Sequence, residues 1–360
     1  MMRSFMNKVG LVIVSLTLYS QSIYACTSFQ MVAADGSRVY ARTMEFAFAL
    51  NSDLVVTPRK LEFVGSGPNN SKGLTWRAKY GAVGMNAFDQ PIITDGMNEK
   101  GMAGGILYFP GHAGYADPAS VDPKKSLAPW EFLTWALTNF ADVAEVKAAL
   151  KDITIIALEQ GDLKVVPPFH YVLHDAAGGV LVIEPIQGKL VVHDNPYGVM
   201  TNSPPFDWHV NNLGNYVKLS PIQPASIKVY GQTIDPISTG AGFLGMPGDS
   251  TSPSRFIRAL AYTSTMVPAK NADENVKLAE HVLHNFDIPR GSIRSASGPD
   301  AFMELTQWST IGDLDNRRFY FSTYDYQSLR MIDLKAINFD VQGVKTIQIN
   351  QKYQPQKVMM

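Results

Sequence analysis

The chain has 360 residues, of which 46% are hydrophobic and 18% are charged, and its 31 Lys and Arg nearly balance its 32 Asp and Glu. This composition is typical of a globular protein and gives no support to a nucleic-acid partner. A single cysteine excludes an intramolecular disulfide. No Pro/Ser/Gly-rich linker divides the sequence, so we predict one domain over residues 26–360.

Residues 1–25 have the three parts of a secretory signal. Arg3 and Lys8 give a positively charged start, residues 9–18 form an apolar core, and residues 20–25 form a short exit. The apolar core is too short for a membrane-spanning helix, which needs about 20 residues, and no later stretch is long enough. We therefore predict that residues 1–25 are a cleaved signal peptide, and that the protein is exported to the periplasm or the medium.

Cleavage after Ala25 would make Cys26 the first residue of the mature protein. That residue would then carry both a thiol and a free α-amine. The amine has an ordinary pKa of about 7.7–8.0, so a neutral fraction can take the proton of a thiol whose ordinary pKa is about 8.5. The arrangement predicts an N-terminal-nucleophile amidohydrolase.

The next elements are predicted to be strands. Residues 27–32 and 38–43 flank an Asp35-Gly36 turn, which indicates a hairpin. Such a hairpin would bring Arg42 beside Cys26. Further strands are predicted at 54–58, 75–83 and 103–108, with a turn over residues 95–101.

The second half mixes helices and strands. Ser126 is predicted to cap a helix that reaches Phe140, and Asp142 to cap the next one. Later helices are predicted at 254–264 and 275–286, and strands at 169–174, 180–184, 190–193, 197–200, 318–323 and 329–333. This order predicts an α+β fold in which antiparallel sheets are covered by helices.

Other chemistries find little support. His170 and His174 lie four residues apart in a predicted strand, about 13 Å from each other, which is too far to chelate one metal ion. Residues 248–250 (GDS) lack the strand–turn–helix context of a serine nucleophile. We expect neither a metal nor a cofactor.

Short motifs in a fixed order resemble the choloylglycine hydrolase family, which includes bile salt hydrolases and penicillin V acylases. They are CT at 26–27, ARTME at 41–45, DGMNEKG at 95–101, TNSP at 201–204 with FDWH at 206–209, and PGD at 247–249 with SRFIR at 254–258. Each motif is weak alone, but their joint occurrence behind an exposable cysteine is specific. The resemblance runs from residue 26 to about residue 333. It implies a four-layer αββα sandwich and a homotetramer.

The resemblance also implies six catalytic residues, each with a role. Cys26 would be nucleophile and base, with Arg42 and Arg255 near the thiol. The oxyanion donors would be the Asn202 side chain and the Tyr108 backbone N–H, and Glu45 would contact the α-amine where the family commonly has Asp. Three neighbours of the motifs, Met44, Phe46 and Phe88, are candidates for an apolar acyl pocket.

Several of these residues also have purely structural interpretations. Asn202 could be a turn residue ahead of Pro204, and Tyr108 could be a core aromatic. The segment 95–101, the most recognisable of the motifs, is interpreted as a structural turn.

A small-molecule amide with an apolar acyl group is the expected substrate. Tyr108 is more typical of penicillin V acylases than of bile salt hydrolases, which favours a penicillin V acylase type, with N-acyl homoserine lactones as a natural target. A bile salt hydrolase is the alternative. An inactive enzyme remains open if Glu45 cannot replace the family's Asp.

A different class of protein follows if Cys26 is lipidated. Residues 23–26 loosely resemble a bacterial lipobox, although Tyr24 is a bulky misfit. A lipid on the sulfur would destroy the nucleophile. The protein would then be a lipid-anchored, non-catalytic envelope or binding protein on an acylase-like scaffold.

Overall fold

The computed structural model describes residues 25–161, 164–298, 301–349 and 351. The predicted signal peptide therefore lies outside the described residues, apart from Ala25. The α-helices are α1 (Phe132–Asn139), α2 (Val143–Ala149), α3 (Phe206–Asn212), α4 (Ser252–Thr265) and α5 (Ala272–Leu283). The strands are β1 (Cys26–Val32), β2 (Arg38–Phe46), β3 (Leu54–Thr57), β4 (Glu62–Ser66), β5 (Lys72–Arg77), β6 (Ala82–Met85), β7 (Asp95–Asn98), β8 (Ala103–Tyr108), β9 (Ser126–Leu127), β10 (Thr154–Ile155), β11 (Phe169–His174), β12 (Val180–Ile186), β13 (Lys189–Asp194), β14 (Ile227–Val229), β15 (Gln232–Ile234), β16 (Ile293–Arg294), β17 (Met303–Asp313), β18 (Arg318–Thr323), β19 (Tyr326–Asp333) and β20 (Lys345–Ile347).

Two antiparallel sheets face each other. The first has the order β1-β2-β17-β18-β19, with β16 paired to β17, and the second has the order β13-β12-β11-β8-β7-β6-β3-β20. Helices α4 and α5 pack on the first sheet, whereas α1 and α2 pack on the second. The predicted α+β sandwich of two sheets between helix layers is therefore confirmed.

Strand β2 has side chains that point to opposite sides of the first sheet, as strand geometry requires. Arg42 points inward and reaches β7 of the second sheet, where it bonds Asp95. Glu45 points outward, on the side where Arg255 of α4 lies. The end of the first sheet that carries Cys26 thus has charged side chains on both of its faces.

The β1–β2 hairpin is held by local side-chain bonds. The Asp35 carboxylate accepts the Ser37 N–H at 2.9 Å and the Ser37 hydroxyl at 2.6 Å. Gly36 between them has φ +88°, a backbone conformation that favours glycine. The predicted Asp35-Gly36 turn is confirmed, and it fixes the register along both strands.

Two of the sequence-based element predictions need correction where the chain turns. The predicted strand 75–83 is two strands, β5 and β6, which belong to different sheets because residues 78–81 turn the chain. Residues 95–98 form the buried strand β7, so the turn covers only residues 99–101.

Two further predictions fail because tertiary contacts decide the local structure. Ser126 does not cap α1: it lies in β9, and its hydroxyl donates to the carbonyls of Pro123 and Ser66. Residues 197–200 form no named strand, and only Met200 makes an isolated bridge, to Ser28. Among the described residues, no helix has both the length and the apolar character that a membrane crossing requires.

Candidate active site

The β1–β2 register decides which side chains surround Cys26. Cys26 lies opposite Met44, and Ser28 opposite Arg42, so Cys26 and Arg42 are diagonal neighbours on one face. Arg42 Nη2 donates to the Cys26 sulfur at 3.5 Å, and the Met44 sulfur lies 3.8 Å from it. The structure brings Arg42 beside Cys26, as the predicted hairpin requires.

Arg42 is completely buried, and its guanidinium is held by the second sheet. Nη1 donates to the Thr94 carbonyl at 3.1 Å and to the Asp95 carboxylate at 3.3 Å, while Nη2 donates to the Ile106 carbonyl. Burial opposes the charge of Arg42, but the neighbouring Cys26 sulfur and Asp95 raise its pKa. A fixed positive charge therefore lies against the sulfur.

Asp95 anchors this charge from the opposite sheet. Its carboxylate accepts hydrogen bonds from the Tyr40 hydroxyl at 2.5 Å and from the Thr310 hydroxyl at 2.6 Å, in addition to Arg42. Each of these side chains is buried. Because three donors bind its two oxygens, the carboxylate is fixed in place and holds the guanidinium beside Cys26.

The Cys26 thiol is neutral in this arrangement. Burial raises its pKa above the ordinary value, although the Arg42 charge opposes the shift. The residue is 2% exposed, and Ala25 in front of it is 1% exposed. With Ala25 attached, the nitrogen of Cys26 is an amide, which cannot act as a base.

Asn202 joins the chain nitrogen of Cys26 to the second sheet. Its Oδ1 accepts the Cys26 N–H at 2.7 Å and an Arg255 N–H at 2.8 Å. Two donors on Oδ1 fix the orientation of the amide, so Nδ2 is the donor to the Tyr108 carbonyl at 2.8 Å. The Asn202 amide thus bridges the Cys26 nitrogen and the Tyr108 carbonyl at the end of β8.

The FDWH motif provides a residue that binds the backbone of Asn202. His209 of α3 has its Nε2 2.9 Å from the Asn202 carbonyl oxygen, and its ring stacks on Phe256 at 4.7 Å. Burial lowers the pKa of His209 to about 4, so the ring is neutral near pH 7 and its Nε2–H donates to that carbonyl. Hydrogen bonds therefore fix both the side chain and the backbone of Asn202.

Arg255 reaches the backbone of Cys26 rather than its sulfur. Its Nη1 donates to the Cys26 carbonyl and, at 2.8 Å, to the Thr27 hydroxyl. Its Nε donates to the Ser250 carbonyl at 2.9 Å. The two predicted arginines thus contact different parts of Cys26: Arg42 contacts the sulfur, and Arg255 binds the main chain.

Glu45 and Glu304 are two buried carboxyl groups on the outer face of this site. Glu45 Oε1 accepts the Thr306 hydroxyl at 2.9 Å, and Glu304 Oε1 accepts the Ala25 N–H at 2.7 Å. Burial raises the pKa of Glu45 to about 8 and that of Glu304 to about 7, and Arg255 opposes both shifts. The Cys26 nitrogen is bonded to Asn202, so the structure with Ala25 attached shows no bond from Glu45 to it.

An apolar cavity of about 310 Å³ lies next to the Arg42 anchor. Phe88 and Phe169 line it together with Thr94 and Ile106, whose carbonyls hold Arg42. Its other lining residues are Ala87, Gln90, Ile92, Trp130, Gln160 and Gly161. The volume and apolar lining suit an apolar group, and Thr94 and Ile106 connect the cavity to Arg42.

The three predicted pocket residues occupy two places. Met44 touches the Cys26 sulfur, and Phe46 packs edge-on against Tyr108 at 5.4 Å between ring centroids. Phe88 lines the apolar cavity. Phe169 lines the same cavity and also packs on Tyr108, at 5.2 Å between ring centroids.

Sequence reasoning missed Asp95 and Glu304. The motif predicts a turn at Asp95, and the segment DGMN lacks the polar–apolar alternation that would indicate a strand. Glu304 and Thr306 share one face of β17, which indicates the side of the sheet on which Glu304 lies but not the residue that it contacts. Its contact, Ala25, is 279 residues away.

The site offers a thiol with an adjacent guanidinium, a fixed amide donor, and carboxylates near the start of β1. These groups suit attack on a carbonyl carbon and stabilisation of the resulting oxyanion. The sequence profile of the family of linear amide C–N hydrolases called the choloylglycine hydrolase family matches residues 26–347.

Similar proteins give the same result. The chain is 34% identical to a bile salt hydrolase/transferase of Clostridium perfringens, over 90% of this chain and 97% of that protein. It is 30% identical to a penicillin V acylase of Pectobacterium atrosepticum, over 93% and 87%. A solved structure of a cysteine-to-alanine mutant of conjugated bile acid hydrolase from Clostridium perfringens matches with a TM-score of 0.81 at 32% identity, covering 92% of this chain and 99% of that one. The protein therefore belongs to the choloylglycine hydrolase family and is a hydrolase of linear amide C–N bonds.

Proposed function

We propose that the mature enzyme begins at Cys26 and that it is exported to the periplasm or the medium. The signal-like residues 1–25 and the start of the family match at residue 26 support this proposal. The test is the intact mass of the protein recovered from outside the cytoplasm. A mass that starts at Cys26 supports the proposal, whereas added lipid mass on Cys26 would establish the lipid-anchored alternative.

In the proposed cycle, the α-amine of Cys26 takes the thiol proton while the sulfur attacks the amide carbonyl. The oxyanion accepts hydrogen bonds from Asn202 Nδ2 and the Tyr108 N–H. Collapse breaks the C–N bond, the amine product takes the proton from the α-amine, and a thioester remains. Water, deprotonated by the α-amine, then releases the acid and regenerates the thiol. The observation that carries this assignment is that Asn202 accepts the Cys26 N–H and donates to the Tyr108 carbonyl, which brings its amide and the end of β8 to the start of β1.

We expect Asn202→Ala to lower kcat by about 100-fold or more, because one oxyanion donor is typically worth that much. The measurement is steady-state kinetics with a synthetic amide. Asn285→Ala is a matched control, since Asn285 is an exposed residue after α5. A loss of only a few-fold would reduce Asn202 to a structural turn residue.

For the substrate we propose a bile acid conjugate, in which a steroid acyl group is joined to a small amino acid. The relative at 34% identity and the solved structure at TM-score 0.81 are both bile acid hydrolases by name, and the apolar cavity suits a large apolar acyl group. Tyr108 taken alone favours a penicillin V acylase type, so this proposal reverses the preference from the sequence. Tyr108 and the penicillin V acylase relative keep penicillin V as the second candidate.

A three-substrate comparison separates these candidates. We would measure amine release from glycocholate, penicillin V and a long-chain N-acyl homoserine lactone at equal concentration, with the Cys26→Ser variant as the blank. The highest kcat/KM is expected for glycocholate. A higher value for penicillin V or the lactone would overturn the bile acid proposal while leaving the amidohydrolase intact.

We also propose that the chain forms a homo-oligomer, a homotetramer as the family resemblance implies. Residues 217–244, which we call the apolar arm, include the short hairpin β14–β15. The arm exposes an unusual number of large apolar side chains, more than a monomer surface normally presents together. They are Val217, Ile222, Ile227, Val229, Tyr230, Ile234, Ile237 and Leu244.

Charges on the apolar arm should dissociate the assembly. We expect the double variant Tyr230→Asp/Ile237→Asp, at two fully exposed positions, to have the mass of a single chain. Light scattering after gel filtration measures that mass. Val64→Asp and Val267→Asp, at exposed apolar positions outside the arm, should keep the wild-type mass. An unchanged mass of the arm variant would contradict the proposal.

A further inference from the structure

Glu304 stands out because the proposed cycle does not use it. It is 2% exposed, and its Oε1 accepts the N–H of Ala25, the residue that maturation would remove. Its Oε2 is buried without a hydrogen-bond partner among the described residues. Glu45 has the same feature: Thr306 bonds one oxygen, and Oε2 is buried without a partner. A buried acceptor without a donor is costly, so each needs an explanation.

The two carboxyl groups are adjacent because of the sheet register. Glu45 on β2 lies opposite Thr306 on β17, and Glu304 precedes Thr306 by two residues on the same face. The two groups also interact electrostatically, since the charge of Glu304 helps to raise the pKa of Glu45. Both groups therefore border one small region on the outer face of the first sheet.

That region lies next to the nitrogen of Cys26. Successive backbone nitrogens are at most about 3.7 Å apart, and Glu304 Oε1 is 2.7 Å from the Ala25 nitrogen, so it lies within about 6.4 Å of the Cys26 nitrogen. Removal of residue 25 deletes the one hydrogen-bond donor that Glu304 has within the described part of the chain. It also converts the Cys26 amide into an ammonium group with two additional N–H donors.

The donors and acceptors then match in number. One N–H of the ammonium group has Asn202 Oδ1, at 2.7 Å in the present structure. The two new donors face two buried carboxyl groups that each have an oxygen to offer, directly or through one water in the space that Ala25 leaves. Arg255 does not compete for these oxygens, because its hydrogen bonds go to Cys26, Thr27, Ser250 and Asn202.

We propose that Glu304 is a positioning residue for the α-amine of mature Cys26, and that Glu304 and Glu45 together form a two-carboxylate site for its ammonium form. The inference rests on the proposed amidohydrolase cycle. It assigns Glu304 two successive partners: the Ala25 N–H before cleavage and the terminal amine after it.

The charges around the amine set the direction of its titration. When they are ionised, Glu45 and Glu304 on the outer face stabilise the ammonium form and raise the amine pKa, and the ammonium charge in turn favours their ionisation. Arg255 on α4 and Arg42 across the sheet oppose them, and the Cys26 thiol becomes a further negative charge when it ionises. Loss of one carboxylate must therefore lower the amine pKa, which moves the acid limb of kcat/KM to lower pH.

The test compares Glu304→Gln with wild type by titration of the amine. Both proteins are made with Met directly before Cys26, so that host aminopeptidase exposes Cys26 without any role for Glu304, and intact mass verifies the terminus. Because Cys26 is the single cysteine, ¹³C-cysteine labelling gives one spin system whose shift reports the amine. Glu62→Gln on the exposed face of β4 is the matched control.

We expect the amine pKa of Glu304→Gln to fall by about 1 unit or more, with a parallel shift of the acid limb of kcat/KM and none in Glu62→Gln. An unchanged amine pKa would overturn the inference and leave Glu304 as a partner of Ala25 only. If Glu304→Gln does not fold, Glu304→Asp decides: a smaller fall supports the inference and no fall overturns it. If the wild type hydrolyses none of the amides, the proposed function fails, but the titration still decides the role of Glu304.

Discussion

Cys26→Ser is expected to abolish turnover and leave the fold intact. A serine hydroxyl has nearly the shape of the thiol, but its proton is far harder for an amine of pKa about 8 to remove. Arg42 then has no thiolate to stabilise. We expect kcat to fall by about 1000-fold or more, because removal of a nucleophile costs at least that much in related covalent mechanisms.

The single cysteine makes this result easy to control. Wild type should incorporate one alkyl group per chain and lose activity in proportion, and Cys26→Ser should incorporate none. Cys26→Ser/Ser120→Cys restores one thiol at an exposed position and should stay inactive. Turnover within ten-fold of wild type for Cys26→Ser would refute the role of sulfur as nucleophile.

Asp95→Ala is expected to lower the free energy of unfolding by about 3–5 kcal/mol, because it leaves the buried Arg42 charge without its partner. The hydroxyls of Tyr40 and Thr310 lose their acceptor as well. Any folded fraction should also lose activity, since the guanidinium is no longer held beside the sulfur. Urea unfolding measures the first effect, and kcat measures the second.

An exposed ion pair provides the matched comparison. Asp340 pairs with Arg59 at 2.9 Å, with 48% of the Asp340 side chain exposed. Asp340→Ala should destabilise the fold far less than Asp95→Ala, because solvent screens such pairs. If Asp95→Ala were as mild as Asp340→Ala, the buried carboxylate could not be the anchor of Arg42.

Local sequence patterns predicted the parts of the site that lie on one hairpin. Asp35-Gly36 fixes the turn, strand alternation fixes the faces, and together they place Arg42 beside Cys26. The family motifs brought Asn202 and Arg255 into the same site. For these residues, short-range geometry and motif identity were sufficient.

The residues that sequence reasoning missed depend on packing between distant elements. Asp95 acts across the two sheets, and the stacking of those sheets is not encoded in any single segment. Glu304 meets Ala25 only because β17 lies beside β2. The mistaken helix start at Ser126 has a similar cause, since contacts with a neighbouring hairpin hold that residue in β9.

Cys26, the proposed nucleophile, and Tyr108, a proposed oxyanion donor, lie on different layers of the sandwich. Cys26 begins a strand of the first sheet, whereas Tyr108 ends a strand of the second, and Asp95 links the second sheet to Arg42. The alignment of these groups therefore depends on the distance between the two sheets. A misplacement of about 1 Å can lower the rate about 100-fold. Activity should accordingly disappear during heating before circular dichroism detects any loss of strands.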